Sequence, residues 1–304
     1  MTRVPEFVVL LATYNGAEYV RSQIDSILCQ TGVNVRIIAR DDGSRDGTQD
    51  ILRSYAEKSG ARLTIIEDGC GATGSPTGNF LKLIEWHRPE AGSFVAFADQ
   101  DDVWFPDKLI RAAHLLERDS AGGYSCDLLA YGADQAVCSI IQKGGRPTAF
   151  DHLFQGASAG CTYVFTGDAF GKIKQVVMEA GTIRPAVASH DWLLYAATRA
   201  LGLTWTHEHV ASLMYRQHSK NAYGAKAGYA GFVARVRMVR ARWYRAHIIW
   251  LSSVAVSEPE KAVLHRVSRL NLADRVWLAF HARELRRRPK DQFLLAAAIL
   301  LGAF

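Results

Sequence analysis

Residues 93–118, SFVAFADQDDVWFPDKLIRAAHLLER, contain the strand-to-helix unit that decides the fold. The apolar run predicts a buried strand over 93–102, and the apolar spacing after Pro106 predicts a helix over 106–118. Three carboxylates follow the apolar part of the strand: Asp99, Asp101 and Asp102. A strand that is covered on both faces and leads into a helix is typical of a βα unit in a parallel sheet.

The same alternation runs through the first third of the chain. Strands are predicted at 7–14, 35–42 and 63–68, and helices at 17–30 and 46–59. We therefore predict an α/β fold with a mostly parallel central sheet flanked by helices. Ligands of such sheets bind outside the carboxyl ends of the strands, so one edge should gather five carboxylates: Asp41, Asp42, Asp99, Asp101 and Asp102.

The later part of the chain has a less regular pattern. It predicts a strand at 128–141, a glycine-containing loop at 143–160, helices opening near Asp168 and His190, and a strand near 210–216. From Tyr229 onward the pattern is helical and basic. We divide the chain into a body, residues 1–225, and a helical C-terminal extension, residues 226–304.

Charge is distributed unevenly between these two parts. The body carries 21 Lys and Arg against 25 Asp and Glu, whereas the C-terminal extension carries 15 against 5. A mildly acidic body does not favour nucleic acid as a partner, and the basic, aromatic extension suits an anionic membrane leaflet. The alternative is that the extension packs its apolar stripe on the body.

Cysteine usage and the chain ends indicate a compartment. The 5 cysteines are odd in number and scattered and include no C-x-x-C pair, which indicates neither a disulfide framework nor a zinc site. The N-terminus shows no signal peptide, and the apolar run at 293–304 is shorter than the roughly 20 residues that span a bilayer. We expect a cytoplasmic protein, either free or peripheral on the inner face of the plasma membrane.

The carboxylates after residue 98 predict a divalent metal site. Three negative charges in one place repel one another unless a cation lies among them, and Mg²⁺ or Mn²⁺ prefers oxygen ligands. Such ions are usually held by one or two carboxylates together with substrate phosphates. The alternative is that Asp101 or Asp102 caps the helix that begins near Pro106.

The second polar cluster is the turn DDGSRDGT at residues 41–48. Asp-Gly turn chemistry and helix capping fully explain Asp46 and Gly47. Asp41 ends its strand, where a carboxylate can accept a hydrogen bond from the N–H of a nucleotide base. We therefore treat Asp41 as a candidate for base recognition.

Five motifs of the chain resemble those of family 2 glycosyltransferases. They are Thr13-Tyr14-Asn15-Gly16, Asp41-Asp42-Gly43-Ser44, the block DQDDVWFPDK at 99–108, His190-Asp191-Trp192, and Tyr215-Arg216-x-His218-x-x-Asn221. They cover about residues 6–221 in order, are specific as a set, and are most similar to the bacterial rhamnosyltransferase-like branch. The resemblance implies that the body has the GT-A nucleotide-diphospho-sugar transferase fold.

The resemblance also implies a role for individual residues. The donor nucleotide would be bound by Thr13, Tyr14, Asn15, Asp41, Asp42, Asp99 and Arg216. The metal, Mg²⁺ or Mn²⁺, would be held by Asp99, Asp101 and His218. Asp191 would be the catalytic base. Residue chemistry alone favours an ordinary surface arginine for Arg216 and an ordinary surface or structural histidine for His218, and the resemblance makes a diphosphate or metal contact as well supported as these.

The implied reaction moves a rhamnose-like or other hexose from a dTDP- or UDP-sugar to a hydroxyl of a glycan or lipid-linked acceptor, in bacterial surface polysaccharide synthesis. An attacking hydroxyl needs a base to take its proton, and one carboxylate opposite the leaving group gives a single displacement with inversion. The alternative for Asp191 is a helix cap.

Two other functional classes fit the sequence less well. A Rossmann enzyme that uses NAD or a sugar nucleotide is disfavoured, because no G-x-G-x-x-G follows the first strand. A non-catalytic membrane- or nucleic-acid-binding protein would explain the basic extension, but it would leave the strand-end carboxylates without a purpose, since they repel phosphate unless a metal is present.

Overall fold

The computed structural model describes residues 4–132, 138–180, 189–218, 243–254, 257–302 and 304. The strands within these ranges are β1 (Glu6–Thr13), β2 (Asn34–Asp41), β3 (Leu63–Ile65), β4 (Phe94–Ala98), β5 (Val103–Trp104), β6 (Gly123–Tyr131), β7 (Cys138–Ile141), β8 (Val164–Thr166) and β9 (Trp205–Arg216). The helices of the body are α1 (Val20–Leu28), α2 (Thr48–Ser59), α3 (Pro76–Trp86), α4 (Lys108–Arg118), α5 (Asp151–Phe154), α6 (Gly167–Ala180) and α7 (His190–Ala200). Those of the C-terminal extension are α8 (Trp243–Trp250), α9 (Glu258–Arg269), α10 (Leu272–Phe280), α11 (Ala282–Leu285) and α12 (Pro289–Leu300).

The described strands form one sheet in the order β3-β2-β1-β4-β8-β6-β9-β5, with β7 paired to β6 at the side. The four strands β3, β2, β1 and β4 are parallel, as the alternation of strands and helices predicts. Beyond β4 the sheet is mixed: β8 is antiparallel to both β4 and β6, whereas β9 is parallel to β6. The prediction of an α/β sheet flanked by helices is therefore confirmed, with parallel pairing concentrated in the N-terminal half.

Central strands are buried because both of their faces carry apolar side chains. Alternate residues of β1 and β4 belong to two different hydrophobic clusters, one on each side of the sheet. Phe97, for example, packs into the cluster with Phe80 and Phe170, whereas its neighbour Ala98 faces the opposite cluster. This two-sided burial leaves the carboxyl ends of the strands as the place where polar groups reach solvent.

Two predictions about individual elements are wrong. The segment 128–141 is not one strand, because β6 begins at Gly123 and pairs antiparallel with β7. Helix α3 was missed, although Ser75 caps it by accepting a hydrogen bond from the Gly78 N–H at 3.0 Å and Pro76 occupies its first turn. A serine followed by a proline is a recognised helix-start signal, and it was available in the sequence.

The described helices of the C-terminal extension pack against the body. Residues of α8, α9, α10 and α12 are buried in the same hydrophobic cluster as core residues of β4 and α7. Trp250 lies within this cluster, and Trp243 and Trp277 pack against it. No helix in the described ranges is long and apolar enough to span a membrane. The predicted basic segment between Tyr229 and residue 242 lies outside the described residues.

Candidate active site

Three loops at the carboxyl ends of β1, β2 and β4 are joined by hydrogen bonds. The Tyr14 N–H donates to Gln100 Oε1 at 2.8 Å, and Gln100 Nε2 donates to the Tyr14 carbonyl at 2.9 Å. The Gly16 N–H donates to Thr48 Oγ1 at 2.8 Å. A Cβ at position 16 would lie 2.2 Å from Gln100 Oε1, so a larger residue there would displace the Gln100 amide from its hydrogen bonds to Tyr14. These contacts bring the strand-end loops together in one crevice.

Asn15 holds two of the loops together. Its N–H donates to Ser44 Oγ at 2.7 Å, and its Oδ1 accepts from the Arg45 N–H at 2.9 Å. Its φ of 46° lies in the left-handed region, which asparagine tolerates better than most residues. The side chain of Asn15 therefore shapes the crevice through its neighbours.

Asp41 and Thr13 lie side by side in the crevice. Thr13 is buried and its hydroxyl donates to Asp41 Oδ1 at 2.9 Å. Asp41 accepts four further hydrogen bonds, from the Ser44 hydroxyl at Oδ1 and from the Gly43 N–H, the Ser44 N–H and Gln49 Nε2 at Oδ2. A base N–H would have to share a carboxylate oxygen with these donors. The Tyr14 side chain is 56% exposed beside them and presents an open aromatic face.

Asp42 does not face the crevice, and its assignment to donor binding is corrected here. Its carboxylate is buried and accepts four hydrogen bonds: from Arg40, from the Thr73 N–H and hydroxyl, and from the Gly74 N–H. Asp41 accepts at least as many hydrogen bonds, so the two carboxylates differ by burial: Asp42 is 4% exposed, whereas Asp41 is only half-buried. Asp42 instead anchors the loop that leads to α3.

Arg40 supplies the countercharge for Asp42 and is itself buried. Its guanidinium also contacts Asp68 at 2.8 Å and Asn79 Oδ1 at 3.0 Å. Burial would lower the pKa of Arg40, but the hydrogen bonds that it donates to Asp68 and Asp42 outweigh burial and raise the pKa. This cation is therefore a permanent part of the loop support.

The predicted metal ligands do not form one cluster among the described residues. At the end of β4, the ligand atoms that lie within 4.8 Å of one another belong to Asp99, Asp102 and Cys161, whereas Asp101 pairs with His218. His218 Nε2 lies 2.8 Å from Asp101 Oδ2, although the two residues are 117 positions apart. Burial and the negative charges of Asp101 and Asp191 raise the pKa of Asp99 to about 7. Burial and the charges of Asp101 and Asp99 also raise the pKa of Asp102 well above its usual range. The carboxylates therefore repel one another, and a bound cation would reduce this repulsion.

Arg216 lies over the same carboxylate loop. Its Nε donates to the Asp101 carbonyl at 3.1 Å, and its guanidinium stands 4.8 Å from the Tyr19 ring and 5.0 Å from the Tyr131 ring. His218 stacks on the same Tyr19 ring at 4.8 Å. Arg216 and His218 are therefore held at the crevice, as the motif predicts. Asn221, the last residue of that motif, lies outside the described residues.

Asp191 lies in the first turn of α7, next to the carboxylate cluster. Its Oδ1 accepts from the Trp192 N–H at 2.8 Å and from the Ser189 hydroxyl. Ser189, not Asp191, occupies the cap position, so the structure does not support the helix-cap alternative. The backbone at Gly160 packs closely against Asp191, because a Cβ at position 160 would lie 3.1 Å from Asp191 Cβ.

A cavity of about 270 Å³ opens beside Asp191. Its lining includes Lys143 from the glycine-containing loop and three consecutive arginines from the C-terminal extension: Arg286, Arg287 and Arg288. Sequence reasoning missed these arginines as site residues, and it also missed Gln100 and Tyr19. The uninterrupted run of arginines was visible in the sequence, but nothing in it indicated that the run returns to the crevice.

The model of the family described as "Glycosyl transferase family 2" matches residues 8–165 of this chain. The chain belongs to glycosyl transferase family 2. The matched region contains the crevice loops from Thr13 to Asp102, and Asp191, Arg216 and His218 follow it in the sequence.

This family 2 glycosyltransferase is similar to proteins that match nearly its whole length. It is 27% identical to the dTDP-rhamnosyl transferase RfbG of Shigella flexneri over 97% of this chain and 100% of that protein. Among solved structures it resembles S. aureus TarS 1-349 in complex with UDP, with a TM-score of 0.57, 14% identity, and coverage of 98% of this chain and 80% of that one. It also resembles the mannosyltransferase PcManGT from Pyrobaculum calidifontis in complex with GDP-Man and Mn²⁺, with a TM-score of 0.50, 17% identity, and coverage of 99% and 88%. These similarities confirm the GT-A-like fold of this family 2 glycosyltransferase, with its C-terminal helices.

Proposed function

We propose that this family 2 glycosyltransferase moves a hexose from a dTDP- or UDP-sugar to an acceptor hydroxyl with inversion, with the help of Mg²⁺ or Mn²⁺, in the synthesis of a bacterial surface polysaccharide. The observation that carries the proposal is that the loops at the carboxyl ends of β1, β2 and β4 bring together an aromatic and carboxylate rim and the Asp101–His218 pair, with Asp191 beside the carboxylates. The full-length similarity to a dTDP-rhamnosyl transferase supports a dTDP donor first and a UDP donor second.

The donor nucleotide would lie on the rim formed by the β1 and β2 loops. The exposed ring of Tyr14 offers a stacking surface for a pyrimidine, and Asp41 would accept from its N3–H by sharing an oxygen with one of its five present donors. Thymine and uracil present the same N3–H, so these residues fit both bases. Asn15 acts through the loop geometry described above, and Arg216 is close enough to the carboxylate loop to compensate charge on a diphosphate.

The cluster at the end of β4 fits a divalent cation. Carboxylate oxygens from Asp99 and Asp101, together with the His218 imidazole, are ligands that Mn²⁺ accepts, and Mg²⁺ accepts the oxygens. The pKa of Asp99 is raised by burial first and by the charges of Asp101 and Asp191 second, and a nearby cation would offset both effects. When bound, the ion would offset the negative charge of the nucleoside diphosphate as it leaves.

Asp191 is proposed as the base that takes the proton of the attacking hydroxyl. Within the described residues its Oδ1 accepts both of the hydrogen bonds that orient the carboxylate, which leaves Oδ2 for the acceptor. Asp291 lines the same cavity but is paired with Arg286 at 3.6 Å, so Asp191 is the carboxylate proposed to act, in a single displacement with inversion at the anomeric carbon. The cationic lining of the neighbouring cavity suits an acceptor that carries phosphate or carboxylate groups, such as a lipid-linked diphosphate glycan.

Peripheral binding to the inner leaflet is proposed for the C-terminal extension. Leu272, Val276 and Phe280 are exposed at i, i+4 and i+8 of α10, and Phe293 and Leu294 are exposed on α12, which packs beside it. Such apolar side chains on a basic element suit an anionic membrane surface. The tryptophans of the extension pack on the core and do not belong to this surface.

A donor panel tests the proposed function directly. The full-length protein would be incubated with dTDP-rhamnose, dTDP-glucose, UDP-glucose and UDP-GlcNAc, with and without Mn²⁺, and nucleotide release would be measured. We expect one donor to be hydrolysed slowly and transferred faster when a lipid diphosphate-linked sugar is added. Failure of all four donors to bind in the presence of metal would contradict the proposal.

A further inference from the structure

A group of polar side chains lies on one face of the β6–β9 pair, away from the donor crevice. Ser125 and Asp127 alternate along β6, and His207 and His209 alternate along β9, so that all four belong to the same face. The neighbouring position on this face is occupied by Trp205, which packs against core aromatic rings. Polar groups on a largely apolar face need partners or a ligand.

The hydrogen bonds of the group leave one buried oxygen without a partner. His207 Nε2 lies 3.0 Å from Asp127 Oδ1, and His207 Nδ1 lies 2.8 Å from Ser125 Oγ. Asp127 is fully buried, yet within the described residues its Oδ2 has no hydrogen bond, and the nearest histidine nitrogen is His209 Nδ1 at 3.6 Å. An uncompensated buried carboxylate oxygen is costly, so this atom requires an explanation.

An irregularity in the strand pairing gives His209 its place. Cys126 pairs with Glu208 and the next residue, Asp127, pairs with Ala211, so His209 and Val210 form a bulge in β9. Bulges redirect side chains and are enriched beside functional sites. Here the bulge brings His209 next to Asp127, while its imidazole remains 63% exposed.

We propose that Asp127, His207 and His209 form a second metal site, suited to Zn²⁺ or a similar transition ion and separate from the donor crevice. One ligand atom from each residue lies within 4.8 Å of the others, which suits metal–ligand bonds of about 2.0–2.2 Å after small side-chain adjustments. Two imidazoles with one carboxylate favour zinc-like ions over Mg²⁺, which prefers oxygen ligands.

The surroundings supply the remaining features of a metal site. Ser125 Oγ contacts His207 Nδ1, the ring nitrogen that does not face Asp127, and accepts a hydrogen bond from Trp205 Nε1 at 3.0 Å. These contacts fix the orientation of the His207 ring, as is usual for metal-binding histidines. The positive charge of Arg287 nearby is paired with Asp151 at 3.1 Å.

Three protein ligands leave a fourth position for water or another ligand. His207 and His209 both line a cavity of about 300 Å³, whose wall also includes Arg146 and Arg287. The open position therefore faces a cavity with cationic walls, where a water molecule or an anionic group would complete a tetrahedral site. In this arrangement the ion ties β6 to the bulged part of β9.

Cobalt titration of the full-length, tag-free protein tests the proposal. Co²⁺ replaces Zn²⁺ and absorbs strongly in the visible range in four-coordinate sites, so its binding is followed by absorption. Millimolar Mg²⁺ is present throughout to compete for the proposed metal site of the donor crevice. We expect about one equivalent of absorbing Co²⁺, displaced by Zn²⁺. His209→Ala should weaken its binding by at least about 10-fold, since even the hydrogen-bond partners of metal ligands contribute 10- to 100-fold.

Two matched variants locate the signal. His265→Ala removes an exposed histidine elsewhere and should bind Co²⁺ as the parent does, and His218→Ala tests the donor crevice. Because His209 is exposed, its alanine variant should keep the fold, which circular dichroism would verify. The proposal is overturned if the parent gives no absorbing Co²⁺ complex, if His209→Ala binds like the parent, or if His218→Ala alone removes the signal. None of these outcomes would affect the proposed transferase function.

Discussion

Asp191→Asn should separate binding from turnover. An asparagine Oδ1 can accept the same hydrogen bonds from Trp192 and Ser189, so the fold and donor affinity should be preserved. The amide cannot take a proton at neutral pH, so the transfer rate should fall by roughly 10²- to 10⁴-fold, the usual range for general-base catalysis. Calorimetry of donor binding and a transfer assay measure the two effects separately.

Asp168→Asn is the matched control for this experiment. Asp168 is also an acidic residue in the first turn of a helix, but it is exposed on α6 and does not line the cavity beside Asp191. It should transfer sugar at the parent rate. Near-parent transfer by Asp191→Asn would instead show that Asp191 only orients its helix, and the base would have to be another carboxylate.

Asp101→Ala should remove the metal dependence of donor binding. The substitution deletes the oxygen that lies 2.8 Å from His218 and one of the ligands proposed for the cation. We expect the affinity for dTDP or UDP in Mn²⁺ to fall by about 10- to 100-fold, towards the metal-free value. Calorimetry with and without Mn²⁺ measures this change. Asp107→Ala, which removes an exposed carboxylate a few residues away, serves as the control.

At the level of single residues, the sequence predicted chemistry better than orientation. Asp41 and Asp42 are adjacent and chemically identical, so no pattern distinguishes the one that reaches the crevice from the one that is turned towards Arg40. His218 was located by its motif, and its pairing with Asp101 depends on β5 and β9 lying side by side. Such a contact between distant segments cannot be deduced from local spacing.

Helix α9 is attached to the body through Glu260. Its Oε2 accepts from the Ser257 N–H at 2.9 Å within a capping box, and its Oε1 lies 2.8 Å from His152 Nε2 in α5. Burial would raise the pKa of Glu260, but the bonds from His152 and Ser257 outweigh burial and lower it from 4.5 to about 2. The charged form is therefore stabilised in the folded protein.

Glu260→Gln should lower the free energy of unfolding at pH 7 by about 1–3 kcal/mol, because a charged hydrogen bond becomes a neutral one. A carboxyl whose pKa is lowered by folding stabilises the protein above its unfolded pKa, and this contribution is lost as pH falls. The difference between parent and variant should thus be constant above about pH 4.5 and shrink towards pH 2. Urea titrations across this range measure it, and a difference independent of pH would contradict the role of the charge. Glu258→Gln, on the exposed side of the same turn, is the control.

The elements themselves were predicted unevenly for a physical reason. Regular βα repeats gave β1, β2 and β4 to within a few residues, because a doubly covered parallel strand has a strong local signature. The β6–β7 pairing was read as one long strand, because two apolar runs with a short interval look continuous in sequence. The alternation of strands and helices in the sequence pattern predicts neither where the chain reverses direction nor the order in which the strands pair.

The proposed binding of the C-terminal extension to a membrane is tested with the whole molecule and lipid vesicles. Each basic residue near an anionic leaflet contributes about 1 kcal/mol and is screened by salt, so sedimentation with anionic vesicles should decrease as salt rises. If the protein sediments equally with neutral and anionic vesicles, electrostatic attraction does not contribute to binding. The structure adds an apolar part, since Phe280 and Phe293 are 83% and 74% exposed.

Phe280→Ser should therefore weaken vesicle binding by roughly 10-fold or more, since burying a phenylalanine contributes about 1.5–3 kcal/mol. Trp86→Ser removes an exposed aromatic residue from the body and should leave vesicle binding unchanged. If both substitutions have the same effect, the apolar surface of α10 and α12 is not the docking face.

The shared core of the body and its C-terminal helices sets limits on protein engineering. A chimera that exchanges the last 79 residues between relatives, to redirect an enzyme to a different membrane or acceptor, would cut through one continuous hydrophobic interior. It would also replace Arg286 and Tyr244, which both donate to the carbonyl of Phe154 near the catalytic crevice. Interchangeable modules therefore cannot be obtained by cutting near residue 225, and a working graft must carry over the matching surface of α5 and α7 as well.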